Sequence, residues 1–349
     1  MACDGGVALR SLALASPPNV LTQADAKEGA RRLFAGRRDE LDRRLQLFDH
    51  CGIERRRVAL PLSAYLEPIG FARRNAIFLE TALDLLADTT SRALAQAGLE
   101  PSAIDGAVTV CSTGIATPSL EAHLAERIGL RDDLIRTPLF GLGCAGGVLG
   151  LARACDLARA RPGTRHLLLV VELCSLALRW SDAGLANLVA CALFGDGAAA
   201  AVLSTEGPGP RIVTTGEHRF PGTLEVMGWR IEDDGLGVLF APSVPDIARE
   251  HLGAALSAFL ARCGLAAHEV DRWLCHPGGA KVLAALERVL PPPAAGLEHA
   301  RAVLAEFGNM SAPTVLFVMD RALAEPGWRR AVLSALGPGF TAGFAVVER

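Results

Sequence analysis

Short apolar runs closed by turn or cap residues set the tightest limit on how this chain can fold. Ala107–Cys111, Leu167–Val171, Ala198–Leu203, Trp273–Cys275 and Gly343–Val347 are each only a few residues long and apolar on both sides of a strand. A strand of that kind has to be covered on both faces. The cover is at hand in Thr81–Ala97, Ala145–Ala160, Asp246–Cys263 and Pro313–Ala324, which keep apolar residues at the three-and-four spacing of a helix. Strand and helix alternate, so an α/β architecture with central sheets layered between helices is expected. At 349 residues, half of them hydrophobic, the chain can bury a large core as one big domain or two. Its texture changes at Gly207-Pro208-Gly209-Pro210, which divides it into halves 1–208 and 209–349 of similar layout. The proline run at 291–293 reads as a rigid loop inside the second half.

Charge and cysteine usage narrow the class. With 35 basic and 38 acidic residues the formal net charge is -3, so no global field favours nucleic acid or an anionic membrane. Nine scattered cysteines without a CxxC pair argue against a disulfide framework and a structural zinc site. A reducing, cytoplasmic setting is expected, with no metal and no cofactor. The opening residues carry Asp4 and no basic run, and the apolar stretch after Arg10 is soon broken by Pro17 and Pro18, so no secretory leader is expected. Glu172 interrupts one greasy stretch and Asp196 another, which leaves both short of the roughly 20 apolar residues that span a bilayer.

The segment Gly141–Ala154 carries the chemistry. It is a glycine-rich turn feeding an apolar helix, with Cys144 at the opening. Unpaired backbone N–H groups and the helix dipole at such a place favour the nucleophilic thiolate. Gly141, Gly143 and Gly146 also spell GxGxxG. A dinucleotide site is set aside because a cysteine stands where phosphate would approach and Asp156 comes too early for a ribose-binding acid. An acyl-carrying thiolate needs a polarising partner and donors for developing oxyanion charge. His276 follows an apolar strand and precedes Pro277-Gly278-Gly279, at a strand end where α/β folds build sites. Asn309, in Gly308-Asn309-Met310-Ser311, stands just before another helix. A loop histidine and a helix cap are the ordinary alternatives for these two. The other histidines lie in charged, helical or loop contexts and are expected at the surface.

The sequence resembles the type III polyketide synthases. Gly141–Gly147, Ala192–Val202, Cys275–Leu283, Phe307–Val318 and Leu336–Val347 are similar to that family's motifs in the family's order, and Gly52–Arg56 and Asp105–Pro118 extend the likeness. The resemblance implies a thiolase-like fold of two layered α-β-α halves with mixed central sheets, a homodimer, and a catalytic triad falling on Cys144, His276 and Asn309. It implies that Cys144 thiolate, paired with imidazolium His276, takes an acyl group from a coenzyme A thioester. Decarboxylated malonyl-CoA then attacks the Cys144 thioester in a Claisen condensation, with His276 and Asn309 donating to the enolate oxygen.

Phe194 matches a gatekeeping phenylalanine between the coenzyme A tunnel and the cavity. Gly337, Pro338, Gly339 and Phe340 match a loop that shapes the active site, and Thr113 and Ser311 fall among the cavity residues. For the phosphates of coenzyme A the resemblance points to the basic cluster Arg43, Arg44, Arg55, Arg56 and Arg57, with Gly278 and Ala280 beside the histidine; a solvated basic helix end is the plain alternative. Cys174 and Ala177 stand where plant chalcone synthases carry two threonines. Thr117 falls where the family extends a residue into the partner subunit's cavity, and Trp229 where those enzymes have a glycine. These departures imply a cavity reshaped for a fatty acyl-CoA starter and an alkylpyrone or alkylresorcinol product, in preference to a chalcone or tetrahydroxynaphthalene. The donor of the starter, coenzyme A or an acyl-carrier partner, is left open. A β-ketoacyl synthase III is the near rival, disfavoured by His276-Pro277-Gly278-Gly279; a non-catalytic acyl-thioester binding protein is the remote one.

Overall fold

The computed structural model describes residues 5–35, 38–292 and 296–349. Met1–Asp4 of the opening segment and Pro293 of the proline run lie outside them. In chain order the strands are β1 (Val7–Ala15), β2 (Asn19–Thr22), β3 (Arg55–Val58), β4 (Gly106–Val110), β5 (Ile135–Leu139), β6 (Arg165–Leu173) and β7 (Asp196–Ser204). The second half adds β8 (Arg211–Arg219), β9 (Met227–Glu232), β10 (Gly235–Phe240), β11 (Arg272–Cys275), β12 (Arg330–Gly337) and β13 (Thr341–Glu348).

The two halves repeat one layout. From its centre outward the first half runs β1, β7, β6, β4, β5, and the second runs β8, β13, β12, β11. In both, the inner neighbours are antiparallel and the outer pair is parallel. The two sheets are not separate. β1 pairs with β8 through Val7↔Ile212 and Ala8↔Arg211, which joins them into one nine-stranded mixed sheet.

The apolar runs are the centres of longer strands. Along β7 every residue is buried, and along β6 every residue but the first. Each fully buried Val or Leu there contributes about 1.5–3 kcal/mol, so these strands anchor the sheet. The helix Phe71–Ala97, longer than its apolar pattern foretold, covers one face through Phe78, Ala82, Leu86 and Ala93 and stops at Gly98 in a left-handed conformation. The helix Gly146–Ala160 packs on β4 and β6 of the first half and β12 and β13 of the second, and therefore lies between the halves. Its first turn can approach so closely because it is glycine: a Cβ on Gly147 would sit 2.3 Å from the Ala312 carbonyl oxygen. No helix among the described residues is long and apolar enough to cross a membrane.

One expectation is corrected by the fold, that for the histidines, and two further elements come to light. The apolar stretch after Arg10 is β1, an inner strand of the sheet. Two of the histidines expected at the surface, His166 and His299, are buried. The segment 227–240 is a β-hairpin, whose register pairs Trp229 with Val238 and Gly235 with Glu232.

Candidate active site

Cys144 enters the site from the end of β5, in a tight 3-10 turn, Gly143–Ala145, that leads straight into the helix Gly146–Ala160. It therefore precedes the α-helix rather than opening it. Gly143 is left-handed at φ 46°, and a Cβ there would meet Pro338 at 2.6 Å. Gly337 is placed the same way, since its Cβ would lie 2.5 Å from the Leu142 carbonyl oxygen and 2.6 Å from the Ala145 nitrogen. The Gly337–Gly339 loop thus rests directly on the nucleophile turn, which only glycine at these contacts allows.

His276 follows β11 and is anchored by its backbone N–H, which donates to the Ser334 carbonyl at 2.8 Å. Asn309 is held between two helices, donating its backbone N–H to the Leu193 carbonyl at 2.8 Å and accepting from the Gly195 N–H at 3.0 Å. Those two bonds bracket Phe194 and fix its backbone to the asparagine. Cys144, His276 and Asn309 are all buried, and they line one cavity of about 460 Å³ with Met227, Phe240 and Gly278. A second lobe of about 400 Å³ reaches Cys144 past Phe194, Trp229, Ser311 and Pro338. A third, apolar cavity of about 630 Å³ lies on the other side of Phe194, walled by Leu33, Leu62, Cys174, Ala177 and Ala190 among others.

The electrostatics of the site are set by burial. Burial pushes the Cys144 thiol up to about 11, and it pushes His276 down to about 3. A helix N-terminus is worth about 0.3–1 kcal/mol to a thiolate, whereas full desolvation moves a pKa by several units. Burial is the larger effect, and in both groups it favours the uncharged form. The asparagine agrees with this. Its Oδ1 accepts from the Ser311 backbone N–H at 2.8 Å, which fixes the amide orientation, and the same oxygen faces the Cys144 sulfur at 3.8 Å as an acceptor for S–H. Its Nδ2 donates to the Gly278 carbonyl at a long 3.3 Å. Ser311, at φ 59°, holds a strained backbone conformation beside the thiol. Neither ring nitrogen of His276 has a hydrogen-bond partner among the described residues.

Reading the sequence missed Glu172 and Ser112. Glu172 is fully buried, where burial raises its carboxyl to about 7. Its Oε2 accepts from the Ser112 backbone N–H at 3.0 Å and from the Thr113 hydroxyl at 2.7 Å. The Ser112 hydroxyl in turn accepts from the Gly143 N–H at 3.2 Å, which carries the network to the nucleophile turn. A carboxylate inside an apolar run reads as an interruption; only the fold shows that it faces the thiol, whose pKa it helps to raise.

Other expected residues sort plainly. Cys174 and Ala177 line the third cavity, not the lobes that hold Cys144. Thr113 braces Glu172 and Leu173 without lining a lobe. Thr117 is exposed, away from its own chain's cavities. Phe340 turns into the core, 5.8 Å from the Phe220 ring, so the loop presents Pro338 to the site and Phe340 to the interior. The arginines do not form one patch. Arg56, 1% exposed, donates to the carbonyls of Cys191 at 2.8 Å and Phe194 at 3.2 Å and to Gln23, which makes it a core residue and removes it from the phosphate-binding set. Alternation along β3 is the reason: Arg55 and Arg57 point outward, Arg55 to Glu306 at 3.2 Å and Arg57 to the Pro18 carbonyl at 3.3 Å. Arg44 donates to the Ala183 carbonyl at 3.3 Å, Arg43 is exposed, and Ala280 opens the helix Ala280–Val289 beside Gly52.

Comparison with known proteins matches both halves. The family model for the N-terminal domain of chalcone and stilbene synthases covers residues 2–208, and that for the C-terminal domain covers 211–348. The chain is 42% identical to a 1,3,6,8-tetrahydroxynaphthalene synthase of Streptomyces peucetius, over 99% of this chain and 94% of that protein. It is 28% identical to an alpha-pyrone synthesis polyketide synthase-like protein of Mycobacterium tuberculosis, over 95% and 88%. Among solved structures, the 1,3,6,8-tetrahydroxynaphthalene synthase of Streptomyces coelicolor superposes with a TM-score of 0.92 at 31% identity, covering 98% of this chain and 99% of that one.

Proposed function

Because the chain belongs to the chalcone and stilbene synthase family, the thiolase-fold type III polyketide synthases, we propose that it condenses malonyl-CoA alone, through Cys144, into a tetrahydroxynaphthalene. Decarboxylative Claisen chemistry on coenzyme A thioesters comes with that membership, which sets aside the single-condensation and non-catalytic rivals. The product does not come with it. Two synthases of this product, at 42% and 31% identity across nearly the whole chain, support it over the fatty-acyl starter expected from the sequence. The ten ring carbons of a naphthalene are five two-carbon units, which malonyl-CoA can supply without another starter.

The unpartnered His276 ring beside the Cys144–Asn309 contact carries the mechanism. A buried polar group without a partner costs about 1–3 kcal/mol, a cost that substrate relieves. Neutral His276 takes and keeps the Cys144 proton as sulfur attacks the thioester carbonyl, and coenzyme A leaves as the thiolate, which solvent protonates. The next malonyl-CoA loses carbon dioxide. Its enolate oxygen takes hydrogen bonds from protonated His276 and from Asn309 Nδ2, whose present bond at 3.3 Å is weak enough to exchange. The enolate carbon attacks the Cys144 thioester, sulfur is released and takes back the proton, and the lengthened chain stands on coenzyme A ready to reload. In this reading residues 1–208 supply the nucleophile and 209–349 supply histidine and asparagine, while Arg43, Arg44 and Arg55 meet the coenzyme A phosphates.

A homodimer belongs to the same proposal. β5 is an edge strand of the sheet, and Ile115, Thr117 and Phe140, all exposed, follow the parallel neighbours β4 and β5 at one end. A second copy covers an open edge and an apolar tip together.

One observation favours a second reading. The third cavity, walled mostly by apolar side chains, has the chemistry for a hydrocarbon chain rather than a malonyl group. Incubation with malonyl-CoA alone, and with added dodecanoyl-CoA, followed by mass spectrometry, separates the two. Tetrahydroxynaphthalene from malonyl-CoA alone, absent in Cys144→Ala, is the expected result. Pyrones or resorcinols formed only when dodecanoyl-CoA is present would replace the first reading with the second.

A further inference from the structure

The hairpin β9–β10 walls the lobe in front of Cys144, through Met227, Trp229, Val238 and Phe240. A two-stranded ribbon is marginal in water by itself, and this one is exposed on its outer side, Ile231 at 76%. Its inner strand packs on the helix Leu185–Leu193 and on Cys174–Ala177, and its turn is tied down as well. Asp234 accepts from Arg179 Nε at 2.7 Å through Oδ1 and from the Ser181 hydroxyl at 2.6 Å through Oδ2. Its backbone carbonyl accepts from the guanidinium of Arg74, which is 3% exposed and set against the rings of Trp180 and Phe71. Arg74 also donates to the carbonyls of Leu176 at 2.9 Å and Leu178 at 2.8 Å.

Those partners are not a random surface. Arg179 directly follows the segment that gives Cys174, Ala177 and Leu178 to the apolar third cavity. The turn of the front wall is therefore tied to the wall of the cavity behind. Between the two stands Phe194, which lines both lobe and cavity, and Trp229 meets it edge-on, centroids 6.5 Å apart at 67°. Trp229 reaches that place only in the register that pairs it with Val238 and closes the turn at Gly235 and Glu232.

We propose that Asp234 is a latch: bound to Arg179, Ser181 and Arg74, it holds Trp229 against Phe194 and keeps the passage from the Cys144 lobe to the apolar cavity shut. The latch makes Asp234 and Arg179 positioning residues that set acyl-chain length without touching substrate. An exposed ion pair alone would be too weak for this; the carboxylate joins Arg179 and Ser181 to a turn whose backbone buried Arg74 already holds, and Asp234→Ala removes the carboxylate's share while leaving the Arg74 bond in place. A closed door confines the chain to short malonyl-derived units, and an open one admits a fatty acyl tail. The inference rests on the reading that Cys144 carries the growing chain.

The test compares Asp234→Ala, Ser181→Ala and Trp229→Ala with wild type, reading kcat/KM for dodecanoyl-CoA priming against malonyl-CoA alone. Asp234→Ala should raise that ratio at least about tenfold, in the same direction as Trp229→Ala, and the double variant should add little to either, since both open one door. Equal loss on both substrates, or an unchanged ratio while Trp229→Ala shifts it, overturns the latch. Should Asp234→Ala fail to fold, Asp234→Asn keeps the shape and loses the charge. A second reading needs no turnover: a fluorescent undecanoic acid probe should bind the Cys144→Ala protein more tightly when Asp234 is also replaced. Wild type that makes no condensation product defeats the functional reading, while the probe still decides the latch.

Discussion

Gly337→Ala tests whether the loop seated on the nucleophile turn sets the reacting geometry. The added Cβ would stand 2.5 Å from the Leu142 carbonyl oxygen, 2.6 Å from the Ala145 nitrogen and 2.7 Å from the Ala145 Cβ, where ordinary contact begins at 3.4 Å. Backbone on both sides leaves no flexible side chain to yield, so loop and turn must part by about 0.9 Å. Overpacking of this size costs about 1–3 kcal/mol, which for a chain this long lowers Tm by only about 1–4 °C. The effect on catalysis is larger. A displacement near 1 Å of a reacting group costs about a hundredfold in rate, so kcat should fall about 100-fold while the protein stays folded. Steady-state condensation of malonyl-CoA, with a thermal melt of the same sample, measures both. Gly129→Ala is the control, because Gly129 caps a helix at φ 74° with nothing within 4 Å, so strain there acts far from the site. A Gly337→Ala enzyme that keeps kcat within twofold, or a Gly129→Ala enzyme that loses as much, would refute the reasoning.

Three further outcomes are expected. Glu172 has a folded pKa near 7, above the ordinary carboxylate value of 4.5, so its contribution to stability is complete below about pH 4.5 and lost as pH rises through 7; Glu172→Gln should gain in Tm over wild type between pH 5 and 8, and with the negative charge gone its Cys144 should alkylate faster with iodoacetamide at pH 8. A slower alkylation would contradict the placement of that charge. Arg56→Met takes a buried guanidinium away from three half-buried acceptors, each loss worth about 1–3 kcal/mol, and should lower Tm by about 4 °C or more, whereas Arg43→Ala should leave Tm alone and raise KM for malonyl-CoA about tenfold; the reverse pattern would exchange their roles. Phe140→Glu at the exposed tip beside β5 should shift sedimentation toward the monomer, and an unchanged dimer would move the interface elsewhere.

What the sequence disclosed follows from how local each signal is. The glycines around Cys144 mark a backbone constraint that is visible residue by residue, and the same holds for His276 at a strand end. β1 was hidden because a single apolar stretch near a terminus does not say that two distant strands, β7 and β8, will close around it. The pKa values were hidden for the same reason: a helix N-terminus can be read from a few residues, but the desolvation that outweighs it comes from the whole surrounding core. Arg56 was taken for part of a basic cluster because three successive arginines look alike until the strand's two-residue alternation turns the middle one inward. Thr117 and Phe340 sit beside the motif residues in sequence yet face away from the cavity. Glu172 was visible only as a flaw in an apolar run.

The nucleophile and its two partners come from opposite sides of the β1–β8 seam, and synthesis delivers them in that order. A growing chain folds its N-terminal part first. The turn that carries Cys144 is then made long before His276, Asn309 and the Gly337–Gly339 loop that seats on it, and until they arrive the thiol lacks both its neighbours and its cover. His276 reaches its place only when β11 pairs with β12, Arg272–Cys275 alongside Ala331–Ser334. The pairing of β11 with β12 thus decides whether the two sides of the site meet at all.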